Sequence, residues 1–597
     1  MILLDSALSS SYKRAVPETT TAEATTTEAR IAELEARLHD SEAALARVRA
    51  AYAHALERLQ LMQRRLFVAS AERRDDDGAQ LAFESLFEQV RKLSAELDKA
   101  AGDDGTDSKG DGAKPRTRKP PTGRRDLAES DLPVVRVELL DPELEGVAER
   151  IGFEESSRLG YERGGPRRIV LARAVYKVPT PETDAPAEAP TASTETVDDA
   201  PMPTVRIVTT PMPKELFRRT LLAPSMIAHV LTSKYLLGVP FYRLEQSFSL
   251  QGFSLDRGTM SRYAEDVGAT LGAIVEAARK DAFDHAFCLS TDATGVRIQP
   301  GSLQERGGQK GPCHEGHFFV VLADRDHVFF EYQPKHTSAA VCSMFKGFTG
   351  YIQADAHVVY DALFAGRPPA GEPADPNKGP PPKEVGCWSH CRRGFWEAAV
   401  CKDPLGVEGL RRIGAIFAAD RPLADLAPAR RKERRDVLVR PLVDAIFAWV
   451  HAESATPRLR GYAASALGYA RNQEGPLRRF LEDGRLRLEN NGSERALRAV
   501  ATARKSWLFF GSDDHAEAAA NLFSLVASCK LHRIDPEQYL AEVIRVMPYW
   551  PRERYLELAP RDWMATRARL DPVELARELG PITVPPPRTA EENATPG

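Results

Sequence analysis

The chain has 597 residues, 43% of them hydrophobic, and a formal net charge of −4. That length allows several domains with true cores, and the charge excludes a uniformly basic coat for nucleic acid. Seven cysteines in no regular framework exclude a disulfide scaffold and point to a reducing, cytoplasmic setting. The opening Met-Ile-Leu-Leu-Asp has no basic lead-in, and no apolar run of about 18 residues follows. Neither secretion nor a membrane partner is therefore expected.

Residues 1–28 are rich in Thr, Ala and Glu and are expected to be disordered. A heptad seam follows within 29–68: Ile31, Leu34, Leu38, Ser41, Leu45, Val48, Tyr52, Ala55, Leu59, Met62 and Leu66. Alternating steps of three and four keep one apolar stripe facing a partner, which predicts a coiled coil and a homodimer or higher oligomer through residues 31–66. Residues 69–132 combine a short helical pattern with a flexible basic arm, Lys114 to Lys119. Residues 133–178 read as a small β-rich module, and 179–204 as a Pro/Thr/Glu linker. From 205 to 280 the pattern is helix, helix, a Gly252 break and a polar helix start at Leu255–Tyr263, the order of a helix-turn-helix. Between Met212 and Tyr263 seven Lys/Arg face three Asp/Glu. Arg243, Arg257, Ser261 and Arg262 are its candidate DNA contacts.

Residues 281–401 turn to β. Strands are expected at Ala286–Ile298, His317–Ala323, His327–Tyr332, Tyr351–Ala354 and Val385–Trp388, with helices at Ala339–Phe348 and Val358–Phe364 and another from His390. Three antiparallel strands followed by alternating helix and strand are the order of a ribonuclease-H-like mixed sheet. In that order the first and fourth strands are neighbours, so Asp292 and Asp355 would meet. Residues 402–485 form a helical insertion. Residues 486–533 complete the core, with Asn490 as N-cap of a helix that carries Glu494. Residues 534–597 read as a helical region and tail. Three carboxylates on two strands and a helix suit magnesium, which takes oxygen ligands. Two such ions, with manganese as a substitute, can serve phosphodiester chemistry. Between Arg485 and Lys505 six cations face two acids, and Arg392, Arg393, Arg495, Arg504 and Lys505 are candidate phosphate contacts. His390 is expected to face the acids, and Trp507 either to fill the core or to stack on a base. Cys387-Trp388-Ser389-His390-Cys391 has no second Cys/His pair at zinc spacing, Cys313 and His314 being the nearest, so no zinc site is expected.

The segments KYLLGVPFYRLEQSF, STDATGV, YIQADAHVVYDAL, CWSHCRRGFWEA, ENNGSERALR, ARKSWLFFGS and IDPEQYL, in that order, resemble insertion sequence 66 family transposases. The resemblance covers roughly residues 205–545 and implies a DDE enzyme with a ribonuclease-H-like core. Its acidic triad would fall on Asp292, Asp355 and Glu494, and its basic motifs on His390, Arg392, Arg393, Arg504, Lys505 and Trp507. The implied substrate is double-stranded DNA, as terminal inverted repeats and as target. Accessory proteins of the same element and nucleoid association go with it. Residues 133–210 hold no cysteine, so the zinc-binding module common in that family is absent. A non-catalytic DNA-binding derivative and a structure-specific nuclease are the competing readings.

Overall fold

The computed structural model describes residues 132–162, 165–179, 205–217, 220–299, 312–367, 379–456 and 460–588. The expected coiled coil at 29–68, the segments flanking it and nearly all of the 179–204 linker lie outside them. The described residues fall into two units. One comprises 132–393, 411–456 and 467–588; the other comprises 394–410 and 460–466. Within the smaller unit, a Cβ on Gly406 would sit 2.2 Å from the Ala399 amide nitrogen, so the helix ending at Val400 and the one starting at Pro404 meet backbone to backbone.

The larger unit holds a mixed α/β fold. Its first sheet is β1 (Val134–Leu139), β2 (Glu149–Glu162), β3 (Gly165–Pro179) and β4 (Val205–Thr209). Strand β3 is central, antiparallel to β2 along one edge. Its other edge takes parallel β1 at Arg168–Arg173 and antiparallel β4 at Val175–Pro179. Apolar Leu171, Ala174 and Tyr176 of β3 are fully buried, as a central strand requires. The β-rich module therefore runs past residue 178. Its last strand was assigned by sequence to the helix-turn-helix region, because five residues beyond a long polar linker give too short a pattern to read.

The second sheet contains β5 (Cys288–Ile298), β6 (His314–Ala323), β7 (His327–Gln333), β8 (Tyr351–Gln353) and β9 (Lys383–Val385), in the order β7-β6-β5-β8-β9. Strands β5, β6 and β7 are antiparallel, whereas β8 and β9 run parallel to β5. Strand β6 is almost wholly apolar from Phe318 to Ala323 and buried on both faces. The fifth strand is shorter than expected, because Trp388 already begins the Trp388–Val400 helix. Val358–Phe364 is a 3₁₀ turn followed by a single α turn.

Helices Pro224–Tyr235, Phe241–Leu250 and Arg257–His285 precede this sheet. Asp256 caps the third, accepting hydrogen bonds from the Thr259 amide (2.9 Å) and hydroxyl (2.6 Å). That helix is 29 residues long. A Cβ on Gly268 would sit 2.3 Å from the Ala518 carbonyl oxygen, so glycine is what lets it pack against Asp513–Leu531. Met226, Leu231, Leu271 and Ile274 share one hydrophobic cluster with β5–β8 and with Leu522, Tyr539 and Trp563. The 205–280 segment is thus continuous with the sheet's core and not a separate bundle.

Helices Pro404–Asp420, Pro428–Leu438, Arg440–Ser454, Gly461–Asn472 and Glu474–Arg478 fill the expected insertion. Buried Arg435 ties this region to the chain that follows. It donates to Asp420 Oδ1 at 2.6 Å and to the carbonyls of Phe480 and Leu486, each at 2.9 Å. The segment entering the Asn491–Trp507 helix is therefore held from behind.

Candidate active site

Strand register brings the acids together. Ser290 of β5 pairs with Gln353 of β8, and Gln353 with Val385 of β9. Two residues beyond these pairings stand Asp292, inside β5, and Asp355 and Cys387, just past the ends of β8 and β9. Asp292 feels the charges of both Asp355 and Glu494.

The third acid arrives through a chain of hydrogen bonds. Gln353 Nε2 donates to the Arg487 carbonyl at 3.0 Å, and the Trp388 amide donates to the Leu488 carbonyl at 2.9 Å. Ser389 Oγ donates to Glu489 at 3.0 Å. Buried Asn490 donates through Nδ2 to the Thr291 carbonyl at 2.7 Å, beside Asp292, while its amide points to Cys387 Sγ at 3.3 Å. Asn490 does occupy the N-cap position, but its side chain makes no cap. It is instead a clasp between β5 and the helix start, and Glu494 sits in the first turn beyond it.

Electrostatics follow from this packing. Burial pushes the Asp292 carboxyl up to about 7, joined by the charges of Asp355 and Glu494 and opposed by the Ala293 amide and by Arg393. Glu494 Oε1 is buried and accepts no hydrogen bond among the described residues. Its near neighbour is His390, with Nε2 at 3.9 Å. Burial holds the His390 imidazole below its ordinary range, aided by Arg393 and opposed by Glu494 and Asp355. The ligand atoms of the three acids do not all lie within 4.8 Å of one another. The grouping among the described residues that meets that limit is Cys387, His390 and Glu494. Burial raises the Cys387 thiol, and it accepts a hydrogen bond from the Asn490 amide, so it is a poor thiolate donor.

The candidate DNA contacts divide. Arg243, Arg257 and Arg262 are exposed, with Ser261 half-buried beside them. Arg392, Arg393, Arg495 and Lys505 are also exposed. Arg504 is engaged inside the fold, donating to Thr294 Oγ1 at 2.9 Å and to the Gly295 carbonyl at 2.5 Å. Trp507 is buried, with Phe510 at 4.5 Å between ring centroids. It fills the core; Leu508 and Phe509 beyond it are the exposed apolar pair. Sequence reading passed over a histidine stack near Asp355. His317 and His336 lie 5.0 Å apart, and His336 and His357 4.7 Å, between ring centroids. Only the Asp-x-His spacing of Asp355 and His357 hinted at it.

Acids inside β5 and just past β8, a helix-borne glutamate and this order of motifs are matched by a known family. The profile described as "Transposase IS66 family" covers residues 219–518, which contain all three acids. The chain belongs to the IS66 family of transposases. A second profile, "IS66 C-terminal element", covers residues 524–561. A third, "Transposase C of IS166 homeodomain", covers 54–137, mostly outside the described residues. Relatives similar to this IS66-family chain come from Sinorhizobium fredii (strain NBRC 101917 / NGR234) and carry the description "Uncharacterized protein". One, y4qI, is 24% identical over 86% of this chain and 91% of its own length. Another, y4hP, is 26% identical over 60% of this chain, and the match spans 65% of that relative, just under two thirds. Among the described residues no helix is long and apolar enough to cross a membrane.

Proposed function

We propose that this transposase cuts DNA at the ends of its own element and joins the freed 3′ hydroxyl to target DNA, with Asp292, Asp355 and Glu494 as catalytic carboxylates. The observation that carries this reading is a set of three acids, one held near neutrality by burial and like charge, and another with a buried, unpartnered oxygen. Perturbed carboxylates with no paired cation mark functional sites more often than architecture. The oxygen-only donor set fits two magnesium ions, or manganese in their place. Asp292, Asp355 and Glu494 would hold them. When bound, the ions would supply charge stabilisation to the attacking and leaving oxygens of an in-line displacement.

The remaining roles belong to the chain. Asn490 orients the glutamate-bearing turn against β5. Arg392 and Arg393 contact phosphates near the acids, Arg495 contacts phosphate on another flank of its helix, and His390 lies within reach of Glu494 to orient it. The sheet order supports a ribonuclease-H-like catalytic fold. Arg243, Arg257, Ser261 and Arg262 would read terminal repeats as a helix-turn-helix surface, and residues 31–66 would pair subunits so that two ends are held together. Accessory proteins of the element would complete the machine on the nucleoid.

The test is a cleavage assay on duplex DNA carrying the element's inverted repeats. The wild-type chain should nick at the repeat end only with Mg²⁺ or Mn²⁺, leaving a 3′ hydroxyl. Asp292→Asn and Glu494→Gln should bind the end and fail to nick it. A wild-type chain that binds repeats but never cuts would leave the non-catalytic reading in place. Cutting without joining would favour a nuclease.

A further inference from the structure

The Asn491–Trp507 helix has a second charged flank. At 3.6 residues per turn, Gly492, Arg495, Ala496 and Ala499 centre on a face rotated roughly 150° from Glu494. A cavity of about 510 Å³ opens there, between this helix and Asp513–Leu531 and over the β6–β7 turn. Four cations stand around it: Arg325, Arg487, Arg495 and Lys530. Its floor is apolar, from Leu322, Phe330 and Phe523.

None of the four cations has an ion-pair partner among the described residues. The acid at the wall, Asp324, directs its carboxylate oxygens to the amides of Phe287 and Cys288 at 2.8 and 3.0 Å. Burial, and then the charge of Arg325, hold the Arg487 guanidinium below its ordinary range, joined by Arg495 and Arg431 and opposed by Cys288. Gathered like charges destabilise the empty chain, and an anion relieves them.

We propose that this hollow holds one unpaired nucleotide of a DNA strand, its phosphate on Arg325, Arg487, Arg495 and Lys530 and its base on the apolar floor. Arginine forks match phosphate oxygens. The volume lies within the range of small-ligand pockets and is far too small for a duplex. An apolar floor has no use for inorganic phosphate, whereas a base face packs on such surfaces. The proposal rests on the DNA-processing reading for the source of the nucleotide, since a free nucleotide shares the same chemistry.

The experiment uses the full chain and a labelled single-stranded oligothymidylate, titrated across a salt series. Arg325→Gln/Lys530→Gln should weaken binding about tenfold or more and flatten the salt dependence, because less of the phosphate charge is neutralised. Ala499→Phe, which fills the hollow without changing charge, should weaken binding and leave the salt slope intact. Arg430→Gln, on the exposed Pro428–Leu438 helix, serves as control and should bind as wild type. Thermal melting confirms that each variant is folded. Wild-type affinity in both the double variant and Ala499→Phe overturns the proposal. So does displacement of the oligonucleotide by thymidine monophosphate or inorganic phosphate at equal concentration, which would assign the hollow to a free anion. A chain that never cuts repeat ends, yet binds strands through this hollow, sinks the transposition reading and keeps this one. A chain that cuts but binds strands independently of the hollow does the reverse.

Discussion

Asp420 is buried and Asp292 half-buried in the same unit, and the two carboxylates differ in what surrounds them. Asp420 meets Arg435 at 2.6 Å and Arg431 at 2.8 Å. Burial works to raise its carboxyl, but these hydrogen bonds and charges outweigh it, and the group lies below its ordinary range. Asp292 meets two more acids and is pushed up to about 7. The first cluster pairs its one acid with two cations and fastens the helical insertion to the 480–486 segment. The second gathers like charges from a strand, a strand end and a helix start, where removal from water makes them costly. Stability alone explains the first; in the second only Arg393 opposes the mutual repulsion of the acids, and the proposed metal ions would complete the balance.

The largest expected effect breaks the second cluster. Asp292→Asn should lower end cleavage by about 10³-fold or more, on the scale of losing a main electrostatic group in a site. Its melting temperature without metal should hold or rise, since an uncompensated acid is removed. Breaking the first cluster should do the opposite. Arg435→Met leaves Asp420 buried without its main partner, and urea unfolding should show a loss of about 3–5 kcal/mol. The double variant Arg435→Met/Asp420→Leu should recover part of that loss.

The two clusters should also separate by pH. Asp292 has a raised folded value, so it stays protonated in the fold after the unfolded chain has ionised. Its contribution is fully present below about pH 4 and is lost as pH rises to about 7. Asp420 has a depressed folded value, so its contribution is present above about pH 4 and falls away in more acid solution. In metal-free buffer, the stability difference between wild type and Asp292→Asn should therefore change between pH 5 and pH 8, and Mn²⁺ should abolish the change. A flat difference would show that Asp292 is not held near neutrality. The smallest effect belongs to Asn490→Ala, which leaves the Thr291 carbonyl unpaired. It should lower stability by about 1–2 kcal/mol and slow cleavage more than it weakens end binding.

Legibility tracked the range of the interactions. Asp292 within an apolar run and Asp355 just past another were readable because strand alternation is local, and the expected pairing of β5 with β8 is present. Glu494 stood out by its amides and cations. Asn490 was readable as a helix start but not as a clasp, because its partner Thr291 is 199 residues away. Strand β4 was lost for the same reason, its identity being conferred by β3. Arg435 looked like one of many cations on a charged helix; its burial depends on carbonyls 45 or more residues away. Trp507 could be read two ways until Phe510 was seen against its ring. The basic hollow is assembled from five separated stretches, and no window of sequence contains it.

The most direct measurement is anomalous diffraction at the manganese edge from crystals of the full chain bound to a repeat end and soaked in Mn²⁺. The account predicts peaks within coordination distance of the Asp292, Asp355 and Glu494 carboxylates, and their disappearance in the Asp292→Asn/Glu494→Gln chain. Peaks bounded instead by Cys387 and His390, or none near β5, would contradict it.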